Sequence, residues 1–168
     1  MMLKEMPSYQ TLLEKSGQYP EMDMLVTEAY LHVLRTGCTL HRCAERRLAL
    51  HGLSYGRFLV MVLLSHEAEP LPVCRLAELS SVSYPTISAL LSGMVREGLV
   101  ERVQDEKDRR VVRIALKEEG RSMLNAVLPG MFTHHGAVLA GLTRDELVSL
   151  IALLSKVRLD PDLCVAEY

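Results

Sequence analysis

Six consecutive charged residues, DEKDRR, form the segment 105–110. They stand between two strand-like runs, LVERVQ at 99–104 and VVRIAL at 111–116, so the pattern predicts a hairpin with a charged tip. A tight hairpin turn usually contains Asn-Gly or Asp-Gly, because these residues adopt a positive φ at low cost. This tip has no Gly, Asn or Pro. The turn alone therefore does not explain why three acidic and three basic residues stand here.

A helix-turn-helix is predicted immediately before this hairpin. Ser54 is a suitable N-cap for a helix with the sequence YGRFLVMVLLSHEA, and two short helices, CRLAELS and YPTISALLSGMVREG, follow it. The turn SVS joins the two short helices. Ser83 can cap the second one, Pro85 fits its first turn, where no N–H is needed, and Gly98 can end it. Helix, short helix, turn, helix and hairpin in this order predict a winged helix-turn-helix.

The second short helix, residues 83–97, has the pattern of a helix that reads DNA. Its N-terminal half carries small polar side chains that allow a helix to lie in a major groove, and a helix N-terminus favours phosphate. These residues are Ser83, Tyr84, Thr86 and Ser88. The opposite face is apolar and is expected to anchor the helix. It consists of Ile87, Leu90, Leu91, Met94 and Val95.

In this arrangement the charged tip reaches the adjacent minor groove, where the negative potential attracts Arg. Lys107, Arg109 and Arg110 are the expected cationic groups. Asp105 and Asp108 would be repelled by phosphate, so we expect at least one of them to pair with an Arg and to hold the loop in shape. An isolated DEKDRR is more simply explained as solvated charge. Its position directly after a helix-turn-helix favours the DNA-binding interpretation.

Long helices are predicted on both sides of this lobe. A helix from Glu21 to about Leu50 exceeds the usual length and is expected to pack along a partner. A second runs from Lys117 to about Ala140, with an interruption or kink near LPG at 128–130, and a third begins at Thr143 with a capping box. Residues 1–20 are interpreted as a loosely ordered arm. The predicted fold class is mainly α with a small β-hairpin wing.

Composition restricts the class of protein without identifying it. The 168 residues suffice for about one domain, and the formal net charge is −2. Residues 71–113 hold seven basic and six acidic residues, so any cationic surface must be local. The N-terminus lacks the apolar region of a signal peptide, and no apolar run has the roughly 18 residues of a membrane span. We therefore expect a cytoplasmic protein with reduced cysteines.

The segment LAELSSVSYPTISALLSGMVREGLVERVQDEKDRRVVRIALKEEG resembles the MarR family of transcriptional regulators. The most specific parts are EGLVERV, DEKDRR and ALKEEG, and a weaker resemblance covers about residues 22–159. It implies a winged-helix homodimer that dimerises through its N- and C-terminal helices and binds a pseudo-palindromic operator. The implied organisation is an arm at 1–20, a dimerisation region at 21–52 and 117–160, a DNA-binding lobe at 53–116, and a tail at 161–168.

The resemblance also assigns roles to individual residues. The family's wing arginine falls on Arg109, and its structural Asp–Arg pair falls on Asp108 with Arg110 or Arg109. The expected DNA-binding residues are Arg75, Ser83, Tyr84, Pro85, Thr86, Ser88, Ala89, Lys107, Arg109 and Arg110. Ala89 stands where the family often has Arg, and Ser92 and Gly93 stand where it often has an acid–base pair. The operator sequence of a relative therefore cannot be transferred to this chain.

Regulators of this family usually respond to a small molecule, and a cationic residue in an apolar cleft suits a phenolic or aromatic acid. The candidate effector-binding residues are Tyr30, Arg35, His41, Tyr55 and Arg57. For Arg35 and Arg57 taken singly, a surface or interdomain salt bridge is the simpler interpretation. The expected function is a DNA-binding repressor that such an effector releases, with double-stranded DNA and a second copy of the chain as partners.

Two alternatives remain open. Cys38, His41 and Cys43 lie close together on the first long helix and could sense a metal or an oxidant, although Cys43 points away from the other two. A winged helix can also bind protein instead of DNA, against which the basic tip argues. An enzyme is not expected, because the chain has no nucleophile elbow, phosphate loop or metal motif, and no cofactor is implied.

Overall fold

The computed structural model describes residues 9–105, 108 and 110–157. Within them the chain is mainly helical, with one small antiparallel sheet. It divides into two compact units, the first ending at Val127 and the second beginning at Leu128. In chain order the elements are α1 (Tyr9–Gln18), α2 (Met24–Ala49), α3 (Tyr55–His66), β1 (Leu71–Pro72), α4 (Val73–Ser80), α5 (Tyr84–Arg96), β2 (Val100–Gln104), β3 (Val112–Leu116), α6 (Glu118–Val138) and α7 (Arg144–Lys156).

Side-chain caps begin three of the helices, α3, α5 and α7, at the residues that the sequence predicts. Ser54 Oγ accepts a hydrogen bond from the amide of Arg57 at 3.4 Å, and Ser83 Oγ accepts one from the amide of Thr86 at 3.3 Å. Thr143 and Glu146 form the predicted capping box at the start of α7. Its two hydrogen bonds from Thr143 to the Glu146 carboxylate lower the pKa of Glu146 below its ordinary value of 4.5. These caps are therefore confirmed.

The same C-terminal motif ends three of the helices. In each, one amide bonds the carbonyl five residues earlier and the preceding amide bonds the carbonyl three residues earlier, which is the Schellman pattern. It places Gly52 after α2 with φ of 70° and Gly98 after α5 with φ of 73°, where glycine is strongly preferred. After α4 the equivalent residue is Ser81, with φ of 52°. The sequence predicts the two glycine stops, and the serine one is a departure from the usual chemistry.

The sheet has the order β1-β3-β2. Strands β2 and β3 form the predicted hairpin, with Val100 opposite Leu116 and Gln104 opposite Val112. Strand β1 pairs with the other edge of β3 through Leu71 and Pro72. Strand β1 was not predicted from the sequence. Proline is compatible with this position because β1 is an edge strand.

The core of the first unit is built from aliphatic side chains and methionine. Completely buried side chains come from its helices and from the sheet; they include Leu48, Met61, Leu76, Leu91, Met94 and Ile114. The predicted anchoring face of α5 is confirmed, since Ile87, Leu91 and Met94 are buried and Leu90 and Val95 are half-buried. This face fixes α5 to the body of the unit and leaves the opposite face in solvent.

Two expectations for the flanking regions are wrong. Residues 9–18 of the expected loose arm form α1, which packs against α2, while residues 1–8 lie outside the described part of the chain. Of the interruption or kink expected near LPG after Lys117, the interruption is wrong, because α6 continues through Pro129. In the second unit, α7 has no buried residue. No helix among the described residues is long and apolar enough to cross a membrane.

Candidate nucleic-acid interface

The solvent-facing side of α5 carries most of the residues predicted to contact DNA. Ser83, Tyr84, Pro85, Thr86 and Ala89 are all exposed, with Tyr84 57% exposed, and Ser88 is half-buried. The hydroxyls of Ser83 and Thr86 lie 2.8 Å apart and hydrogen-bond to each other, so the cap also orients a side chain of the exposed face. Apart from Tyr84 these side chains are small, and none is charged, so this helix surface can approach a groove closely.

Strand β2 adds a cation to this surface that the sequence analysis missed. Arg102 is exposed, and its Nη2 donates a hydrogen bond of 3.0 Å to Ser92 Oγ on α5. Ser92 Oγ in turn donates to the carbonyl of Ser88 at 2.9 Å. In the sequence, the small side chain at position 92 was the sign of this contact. The contact joins residues that are ten positions apart, and it depends on how β2 lies beside α5. Periodicity within one element could not predict it.

Both acidic residues of the hairpin tip that the structure describes form ion pairs. Asp108 accepts hydrogen bonds from the amide of Arg110 at 3.0 Å and from Arg110 Nε at 3.2 Å. Asp105 accepts from the amide of Asp108 at 2.9 Å and forms a salt bridge with Arg113 of β3. The expected pairing of a tip aspartate with a tip arginine is thus present, whereas Arg113 was not foreseen as a partner. Lys107 and Arg109 lie outside the described residues.

Arg113 connects the tip to the rest of the sheet. Besides Asp105, it donates from Nη1 to the carbonyl of Pro70 at 3.0 Å, next to the start of β1. Arg110 is 91% exposed and remains available to an anion despite its contact with Asp108. The tip therefore holds one arginine inward through Asp105 and presents another outward. On α4, the predicted contact residue Arg75 is also exposed and forms an ion pair with Glu78 at 2.9 Å.

The candidate effector residues separate into two groups within the first unit. His41 of α2 and Tyr55 of α3 make an edge-to-face ring contact with centroids 4.8 Å apart. Glu45 lies beside them, 3.9 Å from His41 Nε2, and accepts a hydrogen bond of 2.9 Å from the amide of Tyr55. Tyr30 and Arg35 lie on exposed parts of α2. The structure thus brings two of the five predicted residues into contact.

Arg57 forms a salt bridge, which is the simpler of the two interpretations predicted for this residue from the sequence. Its guanidinium binds Glu97 with two hydrogen bonds of 2.7 Å, joining α3 to the end of α5. Gly93 lies beneath this pair, and a Cβ at that position would come within 3.1 Å of Arg57 Nη2. The absence of a side chain at position 93 therefore leaves room for the arginine. An effector would have to compete with Glu97 for Arg57.

The cysteine alternative receives no geometric support in the described part of the chain. Cys38 and Cys43 are half-buried on α2, and Cys74 is exposed on α4. No group of three or more His, Cys, Asp or Glu side chains among the described residues could hold a metal ion. The rings of His134 and His135 of α6 are tilted by 51° with centroids 6.4 Å apart, and they belong to no such group.

The fold and the exposed α5–hairpin surface define a winged helix-turn-helix protein. The model of the MarR family matches residues 53–112. The HTH-type transcriptional repressor YetL of Bacillus subtilis (strain 168) is 31% identical over 158 residues, which cover 92% of this chain and 93% of YetL. The chain therefore belongs to the MarR family of DNA-binding transcriptional regulators, and it is not an enzyme.

Solved structures agree with this assignment at the level of the fold. The Staphylococcus aureus MepR–DNA complex has a TM-score of 0.69 at 21% identity, covering 76% of this chain and 93% of MepR. CouR from Rhodococcus jostii RHA1, bound to p-coumaroyl-CoA, has a TM-score of 0.68 at 24% identity, covering 77% of this chain and 90% of CouR. The predicted family and fold class are both confirmed.

Proposed function

We propose that this chain is a homodimeric, sequence-specific repressor that binds operator DNA through α5 and the hairpin and is released by a small aromatic acid. The observation that carries the DNA-binding part is the pairing of an exposed, uncharged α5 face with an outward-pointing Arg110 on the neighbouring hairpin. The first suits a major groove and the second suits the adjacent minor groove. The repressor YetL is the relative that supports repression.

Within this proposal the wing supplies phosphate and minor-groove contacts through Lys107, Arg109 and Arg110. The α5 face supplies base contacts through Ser83, Tyr84, Pro85, Thr86, Ser88 and Ala89. Arg75 on α4 adds a backbone contact. The aspartates do not contact DNA; they hold arginines, as the pairs of Asp105 and Asp108 illustrate. A second copy of the chain would occupy the other half-site about one helical turn away.

The effector part of the proposal rests on α2 and α3. His41 and Tyr55 form an edge-to-face pair of rings, and Tyr30 and Arg35 lie on earlier turns of α2. Aromatic rings combined with a guanidinium suit a planar acid. CouR, which is similar in fold, was solved with p-coumaroyl-CoA bound. We leave Arg57 out of the first contacts because Glu97 already neutralises it. The effector need only favour the non-binding state by a few kcal/mol.

The test is a titration of the purified full-length protein against the DNA upstream of its own gene at several salt concentrations, beside Arg109→Ala. We expect tight binding with a steep salt dependence. The variant should bind about tenfold more weakly, with a log–log salt slope smaller by about 1, because one cation–phosphate contact is lost. Arg46→Ala, which removes an exposed arginine of α2, is the matched control and should change neither quantity.

Dimerisation should be the same in all three proteins, measured by sedimentation. Unchanged affinity in Arg109→Ala would remove the wing from the mechanism. If the wild type binds neither this DNA nor any duplex selected from a random pool, the protein-interaction alternative replaces the proposal. Benzoic, hydroxybenzoic and cinnamic acids are then added to the complex, and release by none of them would contradict the effector assignment.

A further inference from the structure

Arg102 lies at the junction between α5 and the hairpin. On β2 it pairs in register with Ile114 of β3, which is completely buried. It shares a sheet face with Val100, two residues earlier, because side chains alternate along a strand. Val100 is buried, whereas Arg102 is exposed. Arg102 therefore lies at the solvent end of the sheet face that packs toward the core. Its guanidinium contacts the solvent-facing side of α5.

A chain of hydrogen bonds fixes this guanidinium against the helix. Arg102 donates to Ser92 Oγ at 3.0 Å, and Ser92 donates to the carbonyl of Ser88 at 2.9 Å. Residues 88 and 92 are one turn apart, so they follow one line of α5. The hydroxyl thus acts as donor and acceptor at once. Arg102 has four further N–H groups, and none of them has an acceptor among the described residues.

Among the described residues, the charge of Arg102 also has no counter-ion. Of the neighbouring arginines, Arg75, Arg110 and Arg113 each pair with a carboxylate. Arg102 has no carboxylate within 4.0 Å among the described residues. Glu101 is adjacent in sequence but lies on the opposite face of β2. An exposed, oriented guanidinium without a carboxylate is suited to bind an external anion.

Helix α5 itself carries no charge before its last residue, Arg96. Residues 79–95, with the sequence LSSVSYPTISALLSGMV, contain no charged side chain. Phosphate contacts dominate the affinity of proteins for DNA. A positively charged side chain near the first three turns of α5 must therefore come from a neighbouring element. Arg102 is fixed directly to the solvent-facing line of the helix through Ser92.

We propose that Arg102 binds a phosphate of the DNA strand that runs between the major groove holding α5 and the minor groove holding the hairpin, and that Ser92 positions it. This inference rests on the proposed DNA-binding function. A sugar–phosphate strand necessarily separates two adjacent grooves, and Arg102 lies between the two elements that would enter them. The contact fixes the register of the protein on DNA and reads no base.

The experiment measures affinity and salt slope for a duplex that the full-length wild type selects from a random pool, and for an unrelated duplex of equal length. Arg102→Ala should weaken binding to both by about the same factor, near tenfold, and reduce the slope by about 0.9. Arg102→Gln keeps a hydrogen-bond donor for Ser92 and should show the same slope change. Arg102→Lys should keep the wild-type slope. Arg46→Ala is the control that loses a distant positive charge.

Ser92 is tested by a double-mutant cycle. Ser92→Ala should lower affinity several-fold with an unchanged slope, since the charge remains but its position is lost, and it should have no effect in the Arg102→Ala background. An equal cost in both backgrounds would mean that Ser92 acts independently, which overturns the positioning role. A wild-type slope in both Arg102→Ala and Arg102→Gln overturns the phosphate contact while leaving the proposed function intact. Failure of the wild type to bind either duplex refutes the proposed function instead.

Discussion

Ser81 follows α4 with φ of 52°, the left-handed conformation that glycine adopts at the equivalent positions after α2 and α5. A side chain in this region is unfavourable because Cβ approaches the backbone carbonyl. The Schellman hydrogen bonds of Ser81 and Val82 to Glu78 and Ala77 nevertheless hold it there. Ser81 is exposed and begins the turn of the helix-turn-helix. The angle between α4 and α5 is thus set by a residue whose own preference opposes it.

The first prediction at this scale is that Ser81→Gly stabilises the protein. Removal of Cβ relieves the strain, and the greater freedom of glycine in the unfolded chain offsets part of the gain, so we expect about 0.5–1 kcal/mol. Ser80→Gly, one residue earlier and within α4, should destabilise by a similar amount. Chemical unfolding of both variants measures the difference. A destabilised Ser81→Gly would mean that the serine contributes a contact worth more than its strain.

At the scale of elements, Gly120 determines how closely α6 approaches the hairpin. A Cβ at this position would lie 2.2 Å from the carbonyl oxygen of Leu99 and 2.7 Å from Leu116 Cδ1. The same carbonyl accepts a hydrogen bond of 3.1 Å from the amide of Lys117. The last position of the ALKEEG motif therefore requires glycine, because the backbone carbonyl of Leu99 occupies the space that a Cβ would fill.

We predict that Gly120→Ala destabilises the protein by about 1–3 kcal/mol, because the backbone at Leu99 cannot yield as a side chain could. Gly136→Ala in the same helix is the matched control, since nothing lies within 4 Å of its added Cβ. That control should stabilise by up to about 1 kcal/mol through helix propensity. Thermal and denaturant unfolding measures the stability of both variants. Equal stabilities would contradict the close approach of α6 to the backbone at Leu99.

Local chemistry predicted much of the fold and less of the candidate site. The caps at Ser54, Ser83 and Thr143 and the stops at Gly52 and Gly98 act within a few residues, so the sequence displays them. Strand β1 is two residues long and exists only because β3 lies beside it. Helix α1 is short and forms where it can pack on α2, which its polar composition did not suggest. Tertiary packing therefore determines that β1 and α1 form.

The same reasoning separates the predicted from the missed contacts of the wing and α5. Asp108 and Arg110 are two residues apart, so a pair within the tip could be anticipated. Asp105 and Arg113 are eight residues apart, and Arg102 and Ser92 are ten apart on different elements. Their meeting depends on strand register and on the placement of β2 beside α5. No periodic pattern carries that information.

At the scale of the whole molecule, apolar surface is left uncovered on the single chain. In the second unit α7 exposes Val148, Ile151 and Leu153, by 66%, 65% and 60% respectively. In the first unit α2 exposes Leu25, Val26 and Tyr30. Soluble monomers rarely expose contiguous apolar patches of this kind. In the proposed homodimer, a second copy of the chain covers them.

We therefore predict that Ile151→Lys is monomeric at micromolar concentration and binds operator DNA far more weakly, because the two half-sites are no longer bound by one linked particle. Ser149→Lys introduces the same charge at an exposed polar position of α7 and should remain dimeric. Sedimentation followed by DNA titration tests both. A monomeric variant that keeps wild-type affinity would separate operator binding from dimerisation.

The inward-held Arg113 has a consequence for the thermodynamics of association. Asp105, Arg113 and the carbonyl of Pro70 are already joined in the free protein, and Asp108 is joined to Arg110. Immobilising a side chain on binding costs about 0.5–1.5 kcal/mol in lost rotamer freedom. The side chains of these pairs have already lost rotamer freedom during folding. In the proposed complex with DNA, the entropy penalty of docking therefore falls mainly on the hairpin side chains that are not held in this way.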